Sequence, residues 1–170
     1  MKKVLITGVS GGIGSATALK FLENGYFVIG TFNKGEKNII EFKKLLEEKE
    51  LSEYFFAYKC DFLDKESVKN TILNIKKDFK YIDVLVNNAG ISLFKTINDT
   101  TEDEWDTVFN VNVKSAFLLT NAVLDGMIEK KCGKIINVSS IWGVSGGSCE
   151  VCYSASKSAI IGYTKALAKE

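Results

Sequence analysis

Lys3-Val4-Leu5-Ile6-Thr7-Gly8-Val9-Ser10-Gly11-Gly12-Ile13-Gly14 opens the chain, and its reading decides the fold. A short run of aliphatic and β-branched side chains reads as a buried strand over Lys3–Thr7. Four glycines then crowd seven positions, and a helix is expected directly after them, over Gly12–Asn24. Glycine at position 8 permits a tight turn, while Gly12 and Gly14 let backbone and helix N-terminus approach a pyrophosphate. The spacing departs from G-x-G-x-x-G but serves the same geometry. An ordinary strand-to-helix turn is the plain alternative for a glycine cluster taken alone. Its place at the first strand–helix junction favours nucleotide binding.

Outward from this turn, β-branched runs alternate with longer helical stretches. Strands are expected at Phe27–Phe32, Phe55–Lys59, Val84–Asn87 and Lys134–Val138, each with little alternation, as for strands covered on both faces. Helices are expected at Lys37–Lys49, Lys65–Phe79, Thr101–Lys130 (bent or interrupted) and Tyr153–Lys169. Gly25 follows Asn24 where a left-handed cap belongs, and Thr101 with Glu104 has capping-box spacing. The fold class is α/β: a Rossmann-type doubly wound parallel sheet in three αβα layers, one dinucleotide-binding domain over residues 1–170. Right-handed crossovers place any ligand at the carboxyl edge of the strands.

Composition narrows the function classes. The 170 residues are 46% hydrophobic and 25% charged with net charge +1, so no global field recruits nucleic acid or a membrane surface. No apolar run reaches the roughly 20 residues of a membrane span. The Met1-Lys2-Lys3 start is followed by glycines that break any secretory h-region, so a cytoplasmic location is expected. Histidine is absent, which excludes Ser-His-Asp hydrolysis. Cys149-Glu-Val-Cys152 has the gap of a redox or zinc pair, but there is no second pair and no histidine to complete a zinc site. Two bystander thiols are the preferred reading, and no metal is expected.

The remaining strand ends supply candidate ligand contacts. About 20 residues past the glycines, where an acid would hold a ribose 2′-hydroxyl, stand Asn33 and Lys34. Lys34 either pairs a 2′-phosphate, favouring NADP(H) over NAD(H), or is a solvated loop cation. Asp61 and Phe62 suit an adenine edge and face. Asn87-Asn88-Ala89-Gly90 offers small residues and amides that admit and brace a dinucleotide.

Tyr153 and Lys157, four apart at a helix start, project from one face. A free phenol with pKa about 10 is a poor proton shuttle at neutral pH, and an ammonium one turn away favours the phenolate. Surface helices produce Tyr-x-x-x-Lys by chance, so the pair says little by itself. Ser140 lies just beyond the fifth strand, where its hydroxyl could hold a carbonyl oxygen. Asn112, within Asn110-Val111-Asn112-Val113, sits mid-helix, a place mildly unfavourable to asparagine. It either has a task or marks a kink satisfied by water.

Taken together, Thr7-Gly8-x3-Gly12-Ile13-Gly14, Asn87-Asn88-Ala89-Gly90, Asn112, Ser140 and Tyr153-x3-Lys157 resemble the short-chain dehydrogenase/reductases, in order and separation, over essentially the whole chain. Within that family the resemblance is nearest to 3-oxoacyl-(acyl carrier protein) reductases and related sugar or alcohol dehydrogenases. It implies hydride transfer between a nicotinamide and the carbonyl of a ketone or 3-oxoacyl thioester, with Tyr153 as acid/base. Lys157 would lower the phenol's pKa and hold the nicotinamide ribose, Ser140 would polarise the carbonyl, and Asn112 would anchor a proton-relaying water. Gly8, Ser10, Gly11, Gly12, Ile13, Gly14, Asn33, Lys34, Asp61, Phe62, Asn88, Ala89, Gly90, Tyr153 and Lys157 would contact the cofactor. A homodimer or homotetramer through the helices at 101–130 and 153–169 is implied, with acyl carrier protein as a further partner.

Members of this family continue several tens of residues past the tyrosine-bearing helix, with two more strands and a Pro-Gly turn at the nicotinamide. This chain stops at Lys169-Glu170 and holds no proline. The expectation for a 170-residue piece is an apolar edge at the fifth strand and a half-open nicotinamide pocket. Weak cofactor binding and poor turnover follow, or a dinucleotide-binding module that has lost catalysis.

Overall fold

The computed structural model describes residues 1–170. They divide into two compact units, Met1–Ala89 with Leu119–Ile136, and Gly90–Leu118 with Asn137–Glu170.

The first unit is built on a sheet ordered β3-β2-β1-β4-β5, from β1 (Lys3–Thr7), β2 (Phe27–Phe32), β3 (Phe55–Lys59), β4 (Val84–Asn87) and β5 (Lys134–Asn137). β1 runs parallel to β2 in the register Leu5↔Ile29 and to β4 in the register Leu5↔Leu85. β3 adds parallel to β2 with Ile29↔Phe56. The order places β1 centrally, so its Val4, Leu5 and Ile6 are wholly buried. Successive side chains point to opposite faces. Leu5, Ile29 and Leu85 therefore share one face, where they meet Ile75 of α3 (Lys65–Asp78) and Leu119, Val123 and Met127 of α5 (Ser115–Glu129). Those last three recur every fourth residue, one stripe of a helix. The opposite face carries Val28 and Phe55, and Phe55 meets Phe42 of α2 (Glu36–Glu48) edge to face at 5.2 Å. α1 (Gly12–Glu23) packs on β1 and β2. The result is the expected parallel α/β sheet with flanking helices, and the five strand positions agree with the sequence reading to within one residue.

Local chemistry ends the helices where expected. Gly25 has φ +74° just past the Asn24 cap of α1, the left-handed position that favours glycine. Asp64 caps α3 by accepting from the Glu66 N–H at 2.9 Å.

In the second unit the expected helix Thr101–Lys130 is broken. α4 (Glu102–Phe109) gives way to a π-helical turn at Asn110–Lys114 before α5 begins. The capping box is present: Thr101 Oγ1 accepts from the Glu104 N–H, and the Glu104 carboxylate accepts from the Thr101 N–H at 3.0 Å. The loop after β5 holds a one-turn helix that periodicity could not reveal, α6 (Trp142–Ser145), packed on α7 (Val151–Leu167). Position 143 must be glycine for this packing, because a Cβ there would stand 2.8 Å from the Lys157 carbonyl carbon and from Ser139 Oγ. α7 starts two residues before the expected Tyr153, so tyrosine and lysine both lie inside it.

Candidate active site

The glycine turn is shaped by three different demands. Gly8 takes φ +74°, and its N–H and that of Val9 both donate to the Thr31 carbonyl, at 2.8 and 3.0 Å. Gly14 is sterically obligatory, since a Cβ would sit 2.1 Å from the Gly8 carbonyl oxygen. Gly12 faces open space, with no atom within 4 Å of a built Cβ. Gly11 occupies the N-cap of α1 without any side-chain hydrogen bond to the first turn, and Ile13 is exposed. A helix leaves its first N–H groups without partners inside the helix. Here they adjoin Gly11 and Gly12, which carry no side chain, and the space open at Gly12 suits a pyrophosphate.

Asn88 and Ala89 brace this turn. Thr7 Oγ1 accepts from the Asn88 and Ala89 N–H groups at 2.9 and 2.8 Å, and Asn88 Nδ2 donates to the Thr7 carbonyl at 2.8 Å. Ser10 Oγ donates to the Lys34 carbonyl at 2.8 Å, and Asn38 Nδ2 donates to the Ser10 carbonyl at 2.9 Å. The turn is thereby joined to the loop after β2. The Lys34 side chain is exposed and forms no ion pair, beside half-buried Asn33. Asp61 is engaged locally: its N–H donates to Ser67 Oγ and its Oδ1 accepts from the Leu63 N–H, each at 2.9 Å. The Phe62 ring packs partly against the core, so it offers less face than its sequence position suggested.

In the second unit, Gly90, Asn112, Tyr153 and Lys157 come together. Lys157 is 4% exposed, and its ammonium donates to the Val138 carbonyl at 2.8 Å. Nζ lies 5.8 Å from the centroid of the Tyr153 ring. A Cβ on Gly90 would stand 3.3 Å from both Lys157 Nζ and Asn112 Oδ1. Burial holds the ammonium below the ordinary lysine pKa. Tyr153 is half-buried.

Asn112 lies in the π-helical turn, 3% exposed. Its Oδ1 accepts from the Ile91 N–H at 2.8 Å, and its Nδ2 donates to the Ile91 carbonyl at 2.9 Å and to Ser156 Oγ at 3.0 Å. The helix does break there, and protein groups take both amide hydrogens and one lone pair of the amide oxygen.

The two adjacent serines are distinguished by their partners. Ser139 Oγ spends its proton on the Lys157 carbonyl at 2.8 Å. Ser140 Oγ accepts from the Trp142 N–H at 3.2 Å and keeps its proton for another acceptor. No hydrogen bond joins the Ser140 and Tyr153 hydroxyls. Ile141, Val144 and Phe94 are largely exposed, an apolar surface in the same unit. Cys149, with φ +58°, and Cys152, buried at the start of α7, are free thiols, and burial pushes Cys152 up in pKa.

Sequence reasoning passed over three participants: Thr7 as the receptor for two N–H groups, Asn38 as a tie to the turn, and Ser156 beneath Asn112. Thr7 and Ser156 are buried polar residues, the first opening the glycine motif and the second inside the Tyr153-x3-Lys157 span, and that placement was the available signal.

Residues 2–170 match the family model described as short chain dehydrogenase. The chain is 35% identical to the 3-oxoacyl-[acyl-carrier-protein] reductase FabG of Salmonella typhimurium, covering 99% of this chain and 67% of the relative. It is 38% identical to FabG of Thermotoga maritima, over 99% and 68%. With acetoacetyl-CoA reductase of Cupriavidus necator the identity is 34%, over 97% and 66%. The chain therefore spans about two thirds of the length of these relatives. A metagenomic short-chain oxidoreductase solved in complex with NADP superposes with TM-score 0.91 at 29% identity, covering 99% of this chain and 75% of that one. A short-chain dehydrogenase from Streptomyces avermitilis gives 0.88 at 31%, over 99% and 60%. The chain belongs to the short-chain dehydrogenase/reductase family of oxidoreductases, acting between carbonyl and hydroxyl groups.

Proposed function

We propose that this protein reduces a carbonyl, that of a 3-oxoacyl thioester or a related ketone, with NADP(H) preferred over NAD(H). The carrying observation is the buried Lys157 ammonium, held against the Val138 carbonyl and above the Tyr153 ring. An ammonium costs free energy in such a place, and a fold keeps it there for a task.

Residues 1–170 would act as one dinucleotide-binding domain. The residues fit such a group: the obligatory glycine at 14, the cleared space at 12 and the uncapped N-terminus of α1 suit a pyrophosphate. Gly8, Ser10, Gly11, Gly12, Ile13 and Gly14 would hold it. Asn33 and the unpaired Lys34 would take the 2′-phosphate, Asp61 and Phe62 the adenine, and Asn88, Ala89 and Gly90 the middle of the molecule. When bound, the dihydronicotinamide supplies the hydride. Ser140, with its proton uncommitted, donates to the substrate carbonyl oxygen and polarises it. Tyr153 delivers its phenolic proton to that oxygen as charge develops there. Lys157 would hold the nicotinamide ribose and offset the phenolate's charge, and the second lone pair of Asn112 Oδ1, left over after the Ile91 N–H bond, would anchor the water that returns a proton to Lys157.

Similarity to the FabG and acetoacetyl-CoA reductases supports a thioester substrate and acyl carrier protein as a partner. Assembly as a dimer or tetramer through helices 101–130 and 153–169 belongs to the same reading, supported by exposed Phe117 and Ile128 on α5. So does a cytoplasmic setting, where its four unpaired cysteines would stay reduced.

The test is consumption of NADPH with acetoacetyl-CoA as probe. Slow turnover is expected of residues 1–170, in keeping with a half-open nicotinamide pocket, and Tyr153→Phe should lower kcat on the order of 10²–10⁴-fold while NADPH binding, read by nicotinamide fluorescence, persists. A Tyr153→Phe protein as active as the parent would refute the assignment.

A further inference from the structure

Helical serines often return their hydroxyl to the carbonyl three or four residues back, with little consequence. Ser156 does this, donating to the Tyr153 carbonyl at 2.7 Å. Its oxygen also accepts from Asn112 Nδ2, 44 residues away in sequence, at 3.0 Å. Ser156 is wholly buried, at 0% exposure, so water cannot substitute for either bond.

We propose that Ser156 is a positioning residue for the reaction, its hydroxyl fixing the Asn112 amide and the first turn of α7 in one arrangement. The inference rests on the catalytic roles given above to Asn112, Tyr153 and Lys157, and extends them to a residue that touches none of the reacting atoms.

The hydroxyl sits in series between two groups. It accepts a hydrogen bond from the amide and donates one to the carbonyl of the tyrosine residue, and bonds in series polarise one another. The same amide forms two bonds to the Ile91 backbone. Its Nδ2 thus has one acceptor on the Ile91 side and one on α7. Ile91 follows Gly90, where a single Cβ would crowd both Asn112 Oδ1 and Lys157 Nζ. Freed from Ser156, the Asn112 amide must leave a buried N–H without an acceptor or rotate and give up its grip on Ile91. Rotation loosens the backbone that borders the ammonium. The tyrosine loses the anchor on its carbonyl at the same moment, so both ends of the Tyr153–Lys157 turn are affected by one missing oxygen.

Ser156→Ala removes that oxygen and adds no volume. With NADPH and acetoacetyl-CoA, kcat is expected to fall roughly tenfold to a hundredfold, the scale of a small misplacement of reacting groups. KM for acetoacetyl-CoA should stay within about twofold, because Ser140, which would hold its carbonyl, is untouched. In an Asn112→Ala background the same substitution should change kcat by less than about twofold, since the two residues act through one hydrogen bond. A merely structural serine would instead lower kcat by the same factor in both backgrounds. Amide exchange at Ile91, followed by NMR, should quicken in Ser156→Ala. Unchanged kcat in Ser156→Ala, an undiminished factor in the Asn112→Ala background, or unchanged Ile91 exchange each overturns the proposal. A parent protein that consumes no NADPH would overturn the proposed function itself, while the Ile91 amide would still decide whether Ser156 holds the Asn112 clamp.

Discussion

Position 14 and position 12 are both glycine, two residues apart in one turn, yet they are glycine for different reasons. At 14 a methyl group meets the Gly8 carbonyl oxygen at 2.1 Å, whereas at 12 it meets nothing. Gly14→Ala is therefore expected to shift backbone at the first strand–helix junction, costing several kcal/mol by the usual scale of overpacking, about 1–3 or more. Gly12→Ala should leave the urea midpoint nearly unchanged and weaken only NADPH binding. Equal midpoints for the two variants would contradict this. The glycine motif was plain in the sequence because glycine is the one residue whose absence of side chain is itself the signal. Spacing could not say which glycine serves packing and which serves a ligand, since that depends on what stands opposite each. The serine pair teaches the same lesson. Both serines follow the fifth strand, and only their partners tell them apart: Ser139 donates to the Lys157 carbonyl on α7, whereas Ser140 accepts from the Trp142 N–H.

Elements were legible wherever one local rule governed them. Five strands and the helices α1, α2 and α3 have the expected places, because aliphatic runs and caps mark them unaided. The helix after Thr101 was not fully legible. Its start is set by the capping box, but the π-helical turn at Asn110–Lys114 depends on the amide of Asn112 finding Ile91 and Ser156, partners 21 and 44 residues distant. No window of local sequence contains that information. α6 escaped for a related reason, since a single turn has no period to detect. At the start of α4, Thr101→Ala should cost about 1 kcal/mol, the usual value of a lost cap, read from the urea midpoint at neutral pH. Glu104 adds a pH dependence. Lys95 beside it, then the Thr101 N–H, hold its carboxyl below the ordinary value of 4.5. The folded-state pKa is depressed, so its contribution is complete above 4.5 and is lost as pH falls through the folded value. The midpoint gap between the parent and Glu104→Gln should accordingly shrink on acidification below pH 4.5. A gap that widens there would be incompatible with the capping box.

Over the whole molecule, fold class and family were available from sequence because five motifs had to recur in order, and chance does not supply five. Burial was less available. The four cysteines carry no obvious ranking in the sequence, yet Cys132 is exposed, Cys149 half-buried, and Cys60 and Cys152 buried, with burial raising the pKa of the last two. A disulfide reagent at neutral pH should thus label Cys132 first and Cys149 second. Cys60 and Cys152 should react only at the rate of unfolding, which mass spectrometry of the labelled peptides can follow. Early labelling of Cys152 would mean that the turn bearing Tyr153 opens on its own.

Glycine at 143 has a wider consequence. It lets α6 lie directly on the backbone of Lys157, and Ser158 fastens it there by donating to the Gly143 carbonyl at 2.7 Å. α6 is therefore tied closely to α7, while Ile141 and Val144 near Gly143 are exposed. Under the proposed chemistry, Ile141→Ala and Val144→Ala are expected to change KM for acetoacetyl-CoA while leaving the tie between α6 and α7 undisturbed.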